Sequence, residues 1–119
     1  MSEAQMLRVV VFFNDNLIYR LETDKDVVNI GRWDANEIQL DNAGVSKIHA
    51  KIKRLDQGYV LEDCNSTNGT FIKEEPITTA PLSSGAVIKI SKYTLVCEFI
   101  DKEAKGGFTT DSIPQTVKL

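Results

Sequence analysis

The chain has 119 residues, the size of one ordinary domain and enough to bury a core without disulfides or a metal. Fourteen basic and seventeen acidic residues leave a formal charge of −3, which argues against a nucleic acid or an anionic membrane as partner, so any bound anion must meet a local basic patch. The 42% apolar share is too high for a disordered chain. Cys64 and Cys97 stand far apart with no Cys-x-x-Cys spacing, which favours a reduced, intracellular protein over a disulfide or zinc framework.

The opening MSEAQMLRVV lacks the basic stretch and cleavage site of a signal peptide, and no apolar run approaches the roughly eighteen residues of a membrane span. A cytoplasmic location and a default monomer are expected. Residues 1–6 read as a short extension before the domain. LRVVVFF (7–13) and LIYRLE (17–22), joined by Asn14-Asp15-Asn16, predict two strands around a tight turn. Further short apolar runs follow, each bounded by turn residues: 27–30, 37–40, 48–53, 59–63, 70–72, 87–90 and 93–100. A spacing of about 8–12 residues predicts an all-β sandwich or barrel, and no window holds a helical apolar period over three turns.

In IHAKIK (48–53) the apolar positions Ile48, Ala50 and Ile52 alternate with charged ones, predicting a half-buried strand with a basic outer face. Residues 101–119 turn polar around Gly106-Gly107 and Pro114 and read as a tail or linker after a domain spanning 7–100.

Four segments between the predicted strands carry the chemistry: Gly31-Arg32, Ser46 through His49, Asp63 through Thr70 (DCNSTNGT), and Ser91-Lys92-Tyr93. Together they supply a guanidinium, ammonium groups, hydroxyls and a Gly-containing turn. A phosphate monoester carries about −1.5 to −2 charges and three acceptor oxygens, and an arginine meets it with a planar two-pronged fork.

Gly31-Arg32, then Ser46 with His49 three positions on, then STNGTF at 66–71, in this order and at these separations, resemble the forkhead-associated (FHA) domain. The resemblance implies an FHA-type β-sandwich of two mainly antiparallel twisted sheets with about eleven strands, whose loops at one end bind phosphothreonine peptides. It implies that Arg32, Ser46, Lys47 and Thr67 contact the phosphate and that Asn68 bonds the main chain of the bound peptide. Gly31, His49 and Gly69 would build the site without touching ligand. Preference for neighbouring peptide residues would come from the loops 41–45 and 91–93, with Asn42, Ser91 and Lys92 as candidates. One departure is that Lys73-Glu74-Glu75-Pro76 stands where the family often has an Asn-Gly turn.

Simpler roles are available to single residues. Arg32 could pair with Asp34 or Glu37 at the surface, Ser46 could satisfy its own turn, and Trp33 is expected to pack on the sandwich edge. Ser46 and His49 lack an acidic partner to orient the imidazole, so no catalytic residues, no metal and no cofactor are expected. The expected function is therefore non-catalytic recognition of phosphothreonine in partner proteins, the alternative being a phospho-independent interaction or oligomerisation scaffold using a sheet face or open edge. Thr110-Asp111-Ser112-Ile113 suggests self-binding through a phosphorylated Thr110.

Overall fold

A computed structural model of the chain describes residues 5–101. Among them there is no helix, and eleven strands follow in chain order: β1 (Gln5–Phe13), β2 (Asn16–Thr23), β3 (Val27–Gly31), β4 (Ile38–Gln39), β5 (Ala50–Leu55), β6 (Gly58–Asp63), β7 (Phe71–Ile72), β8 (Glu75–Pro76), β9 (Thr79–Leu82), β10 (Ala86–Ile90) and β11 (Tyr93–Asp101). They form a six-stranded sheet, β2-β1-β11-β10-β7-β8, and a five-stranded sheet, β4-β3-β5-β6-β9. All pairings are antiparallel except β3 with β4, which is parallel. The sandwich expected from the sequence is the one found.

Alternation along the strands explains the two layers. Leu7, Val9 and Val11 of β1, Ile30 of β3, Ile52 of β5 and Leu95 of β11 meet in one apolar core between the sheets. First and last strands are neighbours: β1 pairs with β11 from Gln5↔Asp101 to Phe13↔Tyr93. That pairing closes the domain and brings the β1–β2 and β10–β11 turns to one end, where the Asn14 N–H donates to the Lys92 carbonyl at 3.0 Å. Asn14 and Asp15 have φ of +50° and +71°, the left-handed pair that a two-residue hairpin needs and that Asn and Asp tolerate.

Nine predicted runs coincide with strands, and β8 and β9 were absent from the run-by-run reading. Both are short edge strands carrying a proline, Pro76 and Pro81, and an edge is where a residue without an N–H is tolerated. The β7–β8 turn is Lys73-Glu74, with φ of +52° and +67°. The departure from Asn-Gly therefore changes the residues and leaves the left-handed turn in place.

One expectation fails on β5. The strand starts at Ala50, and Ile48 lies before it in the loop, 49% exposed. On its outer face Lys51 and Lys53 share one carboxylate: Lys53 Nζ lies 2.9 Å from Glu62, which also stands opposite Lys51 in register. Thr110 and the remainder of the C-terminal segment after Asp101 lie outside the described residues, as do residues 1–4.

Candidate anion-binding site

Four loops meet at the end of the sandwich marked by the Asn14–Lys92 bond: β3–β4, β4–β5, β6–β7 and β10–β11. Gly31 ends β3 where the β4–β5 loop presses closest. A Cβ there would collide with the Lys47 carbonyl and come within 2.9 Å of the Asn36 side-chain amide. Only glycine lets the two chains approach this far. Next to it the Arg32 N–H donates to the Ser46 carbonyl at 3.0 Å, and the Trp33 N–H to the Lys47 carbonyl at 3.3 Å. Asn36, nearly buried, donates through Nδ2 to the carbonyls of Trp33 (2.8 Å) and Lys47 (2.9 Å), locking the same junction.

The Arg32 side chain is half-buried, and its Nε donates to the Val45 carbonyl at 3.0 Å. Neither surface partner weighed from the sequence engages it: Glu37 instead accepts from the Asn29 N–H at 2.7 Å and from Lys25 at 3.1 Å. The Asn29 N–H, with Lys25 adding to it and burial opposing, holds the Glu37 carboxyl below its ordinary range. Among the described residues no carboxylate pairs with the Arg32 guanidinium. One edge of the fork is anchored and the terminal nitrogens remain for a ligand.

His49 is fully buried and ties the β4–β5 loop to strand β3 and to the β6–β7 loop. Its own N–H donates to the Ile30 carbonyl (2.8 Å) and its carbonyl accepts from Cys64 N–H (2.9 Å). Nδ1 accepts from the Ser46 N–H at 3.0 Å, so Nε2 carries the proton and donates to the Gly69 carbonyl at 2.9 Å. Both ring nitrogens are thereby engaged with backbone.

Ser46 Oγ accepts the Thr67 N–H at 3.1 Å, which leaves its own hydroxyl proton to donate outward. Thr67 and Asn68 are exposed at the tip of the β6–β7 loop, and Asn68 Nδ2 donates to the Gly44 carbonyl at 3.0 Å, closing that loop onto the β4–β5 loop. Gly69 has φ of +92°, the left-handed backbone that lets the chain turn into β7.

The sequence reading assigned no role to the network beneath this tip. Asp63 Oδ1 accepts from Ser66 Oγ (2.5 Å) and Thr70 Oγ1 (2.6 Å), Oδ2 accepts from the Ser66 N–H (3.0 Å), and the Gly69 N–H donates to Ser66 Oγ (3.0 Å). Burial pushes the Asp63 carboxyl up, but the bonds from Ser66 and Thr70 outweigh it and hold the group below its ordinary range. A signal existed: Asp three residues before Ser is the spacing of a side chain capping its own turn.

Trp33 does not pack on the sandwich edge as expected. It is 48% exposed, and Lys47 Nζ sits 5.3 Å from its ring centroid, a cation over the electron-rich face of the indole. Arg32, Ser46, Lys47, Thr67 and Asn68 thus share one end of the molecule. The specificity candidates border them: Asn42 Oδ1 accepts from the Gly44 N–H at 2.9 Å, and a Cβ on Gly44 would stand 2.5 Å from Ser91 Oγ. Lys92 is exposed in the same turn.

A two-sheet sandwich with these loops at one end defines the class, and a family model of the FHA domain matches residues 28–91. The chain belongs to the FHA domain family. The oxoglutarate dehydrogenase inhibitor of Corynebacterium diphtheriae is 35% identical over 88 residues, covering 74% of this chain and 62% of that protein. The glycogen accumulation regulator GarA of Mycobacterium tuberculosis is 32% identical over 88 residues, 74% of this chain and 54% of that protein. This chain therefore spans between about half and two thirds of the length of these relatives. Among solved structures, the FHA domain of an Arabidopsis thaliana hypothetical protein matches with a TM-score of 0.76 at 28% identity, covering 87% of this chain and 92% of that one. Mycobacterium tuberculosis EmbR, in complex with a low affinity phosphopeptide, matches with a TM-score of 0.72 at 26% identity over 85% of this chain and 26% of that one.

Proposed function

We propose that this domain is a non-catalytic reader of phosphothreonine, binding phosphorylated segments of partner proteins through the Arg32 loop end. The observation that carries the reading is the anchored Arg32 guanidinium, fixed through Nε to the Val45 carbonyl and paired with no carboxylate among the described residues. A charged fork held in place beside an open hydroxyl is preorganised for a dianion with three acceptor oxygens. In this reading Arg32 takes two phosphate oxygens, Ser46 donates its free hydroxyl proton, and Lys47 leaves the Trp33 face to add its charge. The Thr67 hydroxyl completes the set. Asn68, held by Gly44, offers its side-chain carbonyl to a main-chain N–H of the peptide, and Gly31, His49 and Gly69 hold the loops in register.

Turnover finds no support in this arrangement. His49 spends Nδ1 on the Ser46 backbone N–H and Nε2 on the Gly69 carbonyl, so it is not placed to take the Ser46 hydroxyl proton. The names of the Corynebacterium and Mycobacterium relatives, an inhibitor and a regulator, support control of partners by binding.

Calorimetric titration of degenerate phosphothreonine peptide pools against wild type and Arg32→Ala tests the reading. Wild type should bind phosphorylated pools and ignore unphosphorylated ones. Because hydrogen bonds to charged groups are worth about 1.5–3 kcal/mol each, Arg32→Ala should weaken binding roughly ten- to several-hundred-fold. Peptide binding that survives both loss of the phosphate and loss of Arg32 would transfer the function to a phospho-independent scaffold.

A further inference from the structure

Trp33 is a large side chain that the fold leaves outside. It is the one tryptophan of the chain, it is 48% exposed, and it belongs to neither buried cluster. Its backbone is nonetheless held on both sides: the N–H donates to the Lys47 carbonyl at 3.3 Å, and the carbonyl accepts from the Asn36 N–H at 3.2 Å and from Asn36 Nδ2 at 2.8 Å. The ring is thereby fixed in a tight turn beside Arg32 and outside the core. An indole left in water contributes little to stability, because removing its surface from water is what stabilises. Its face does hold something, the Lys47 ammonium, with Nζ 5.3 Å from the ring centroid. The ring is a cation site filled by the chain's own lysine.

We propose that the Trp33 face is a specificity subsite that takes an arginine or lysine side chain of the bound peptide, so that the domain selects phosphothreonine in a basic context. The inference rests on the phosphothreonine reading above, in which Lys47 moves from the ring to the phosphate. That move vacates a face suited to a cation. The bound dianion, with about −1.5 to −2 charges, offsets Arg32 and Lys47. Asp34, next in the chain, is exposed and pairs with no cation among the described residues, so the charge left beside the ring is negative. The net charge of −3 favours the same ligands at longer range. Reach limits the position. One lysine side chain serves the ring and the phosphate in turn, so the subsite suits a residue within about three positions of the phosphothreonine, roughly 10 Å of extended chain. Arginine fits best, because its planar guanidinium stacks on an aromatic face while its stem covers apolar surface.

Oriented phosphothreonine peptide pools test the proposal, each with arginine, leucine or glutamate fixed at one of the three positions on either side, titrated against the full chain, Trp33→Leu and Trp33→Phe. At one position wild type should bind the arginine pool roughly three- to tenfold more tightly than the leucine pool, and the glutamate pool most weakly. Trp33→Leu should bring the arginine-to-leucine ratio to about one, and Trp33→Phe should restore part of it. In NMR spectra of the bound arginine peptide, the side-chain methylene protons should move upfield under the indole ring current, and only with wild type or, less so, with Trp33→Phe. A purely structural role for Trp33 would lower both affinities together and leave the ratio intact, which would overturn the subsite. Equal affinity of wild type for arginine and leucine pools, both requiring the phosphate, would overturn the subsite and leave the reader standing. Failure of every phosphorylated pool to bind wild type would overturn the reader, and this inference with it.

Discussion

Asp63 has no place in the proposed contacts with ligand, yet it holds the shape of the loop that carries Thr67 and Asn68. Its carboxylate takes three hydrogen bonds from Ser66 and Thr70, and losing them should cost about 1–3 kcal/mol. The pH dependence follows from the direction of the shift. The folded group titrates below its ordinary range, so its stabilisation is present above the unfolded value of about 3.9 and is lost as pH falls through the lower folded value. Chemical denaturation of Asp63→Asn should show lower stability at pH 7 and convergence with wild type as pH falls below the range where the folded Asp63 carboxyl titrates. Gly31 makes a complementary test. Gly31→Ala drives a methyl into the Lys47 carbonyl, and overpacking of this kind costs roughly 1–3 kcal/mol. Its loop amides should shift in NMR spectra and phosphopeptide binding should fall with them.

At the scale of elements, what was legible depended on whether local chemistry and tertiary role agreed. β1, β3, β6, β10 and β11 announced themselves as apolar runs between turn residues, and the Asn14-Asp15 hairpin as a turn that wants left-handed backbone. β8 and β9 gave no such signal, because an edge strand needs little apolar surface and tolerates Pro76 or Pro81. The turn before β8 was hidden for a related reason: Lys73 and Glu74 are poor residues for φ of +52° and +67°, and only the flanking pairs Ile72↔Glu75 and Phe71↔Pro76 impose it. That conflict yields a prediction. Lys73→Asn with Glu74→Gly should relieve the left-handed strain and stabilise the domain by about 1 kcal/mol, raising the melting temperature by roughly 4–8 °C in a calorimeter. Ile48 misled in the opposite way: its alternation with Ala50 and Ile52 looked like a strand, but the His49 ring must reach both Ser46 and Gly69, and that geometry keeps residues 46–49 in a loop.

For the whole molecule, the site is an outcome of long-range pairing that no local pattern encodes. The loops that carry Arg32, Ser46 and Thr67 are far apart in sequence and meet because β3 pairs with β5, β5 with β6, and β1 with β11. Sequence order and spacing identified the members of the cluster through family resemblance. They were silent on the Asp63 network, on Asn36, and on the Trp33–Lys47 contact, each of which depends on which loop lands on which. The net charge of −3 places no general attraction for anions on the surface, so recognition of a phosphate must be local to this end. The measurement that bears most directly on that claim is an amide-shift titration of the full chain with one phosphothreonine peptide from a pool that binds, read alongside its unphosphorylated form. The account predicts large shifts at Arg32, Ser46, Lys47, Thr67 and Asn68, together with the Trp33 indole signal, only with the phosphorylated peptide. Shifts that spread instead along the β2 edge or a sheet face, equal for both peptides, would contradict it.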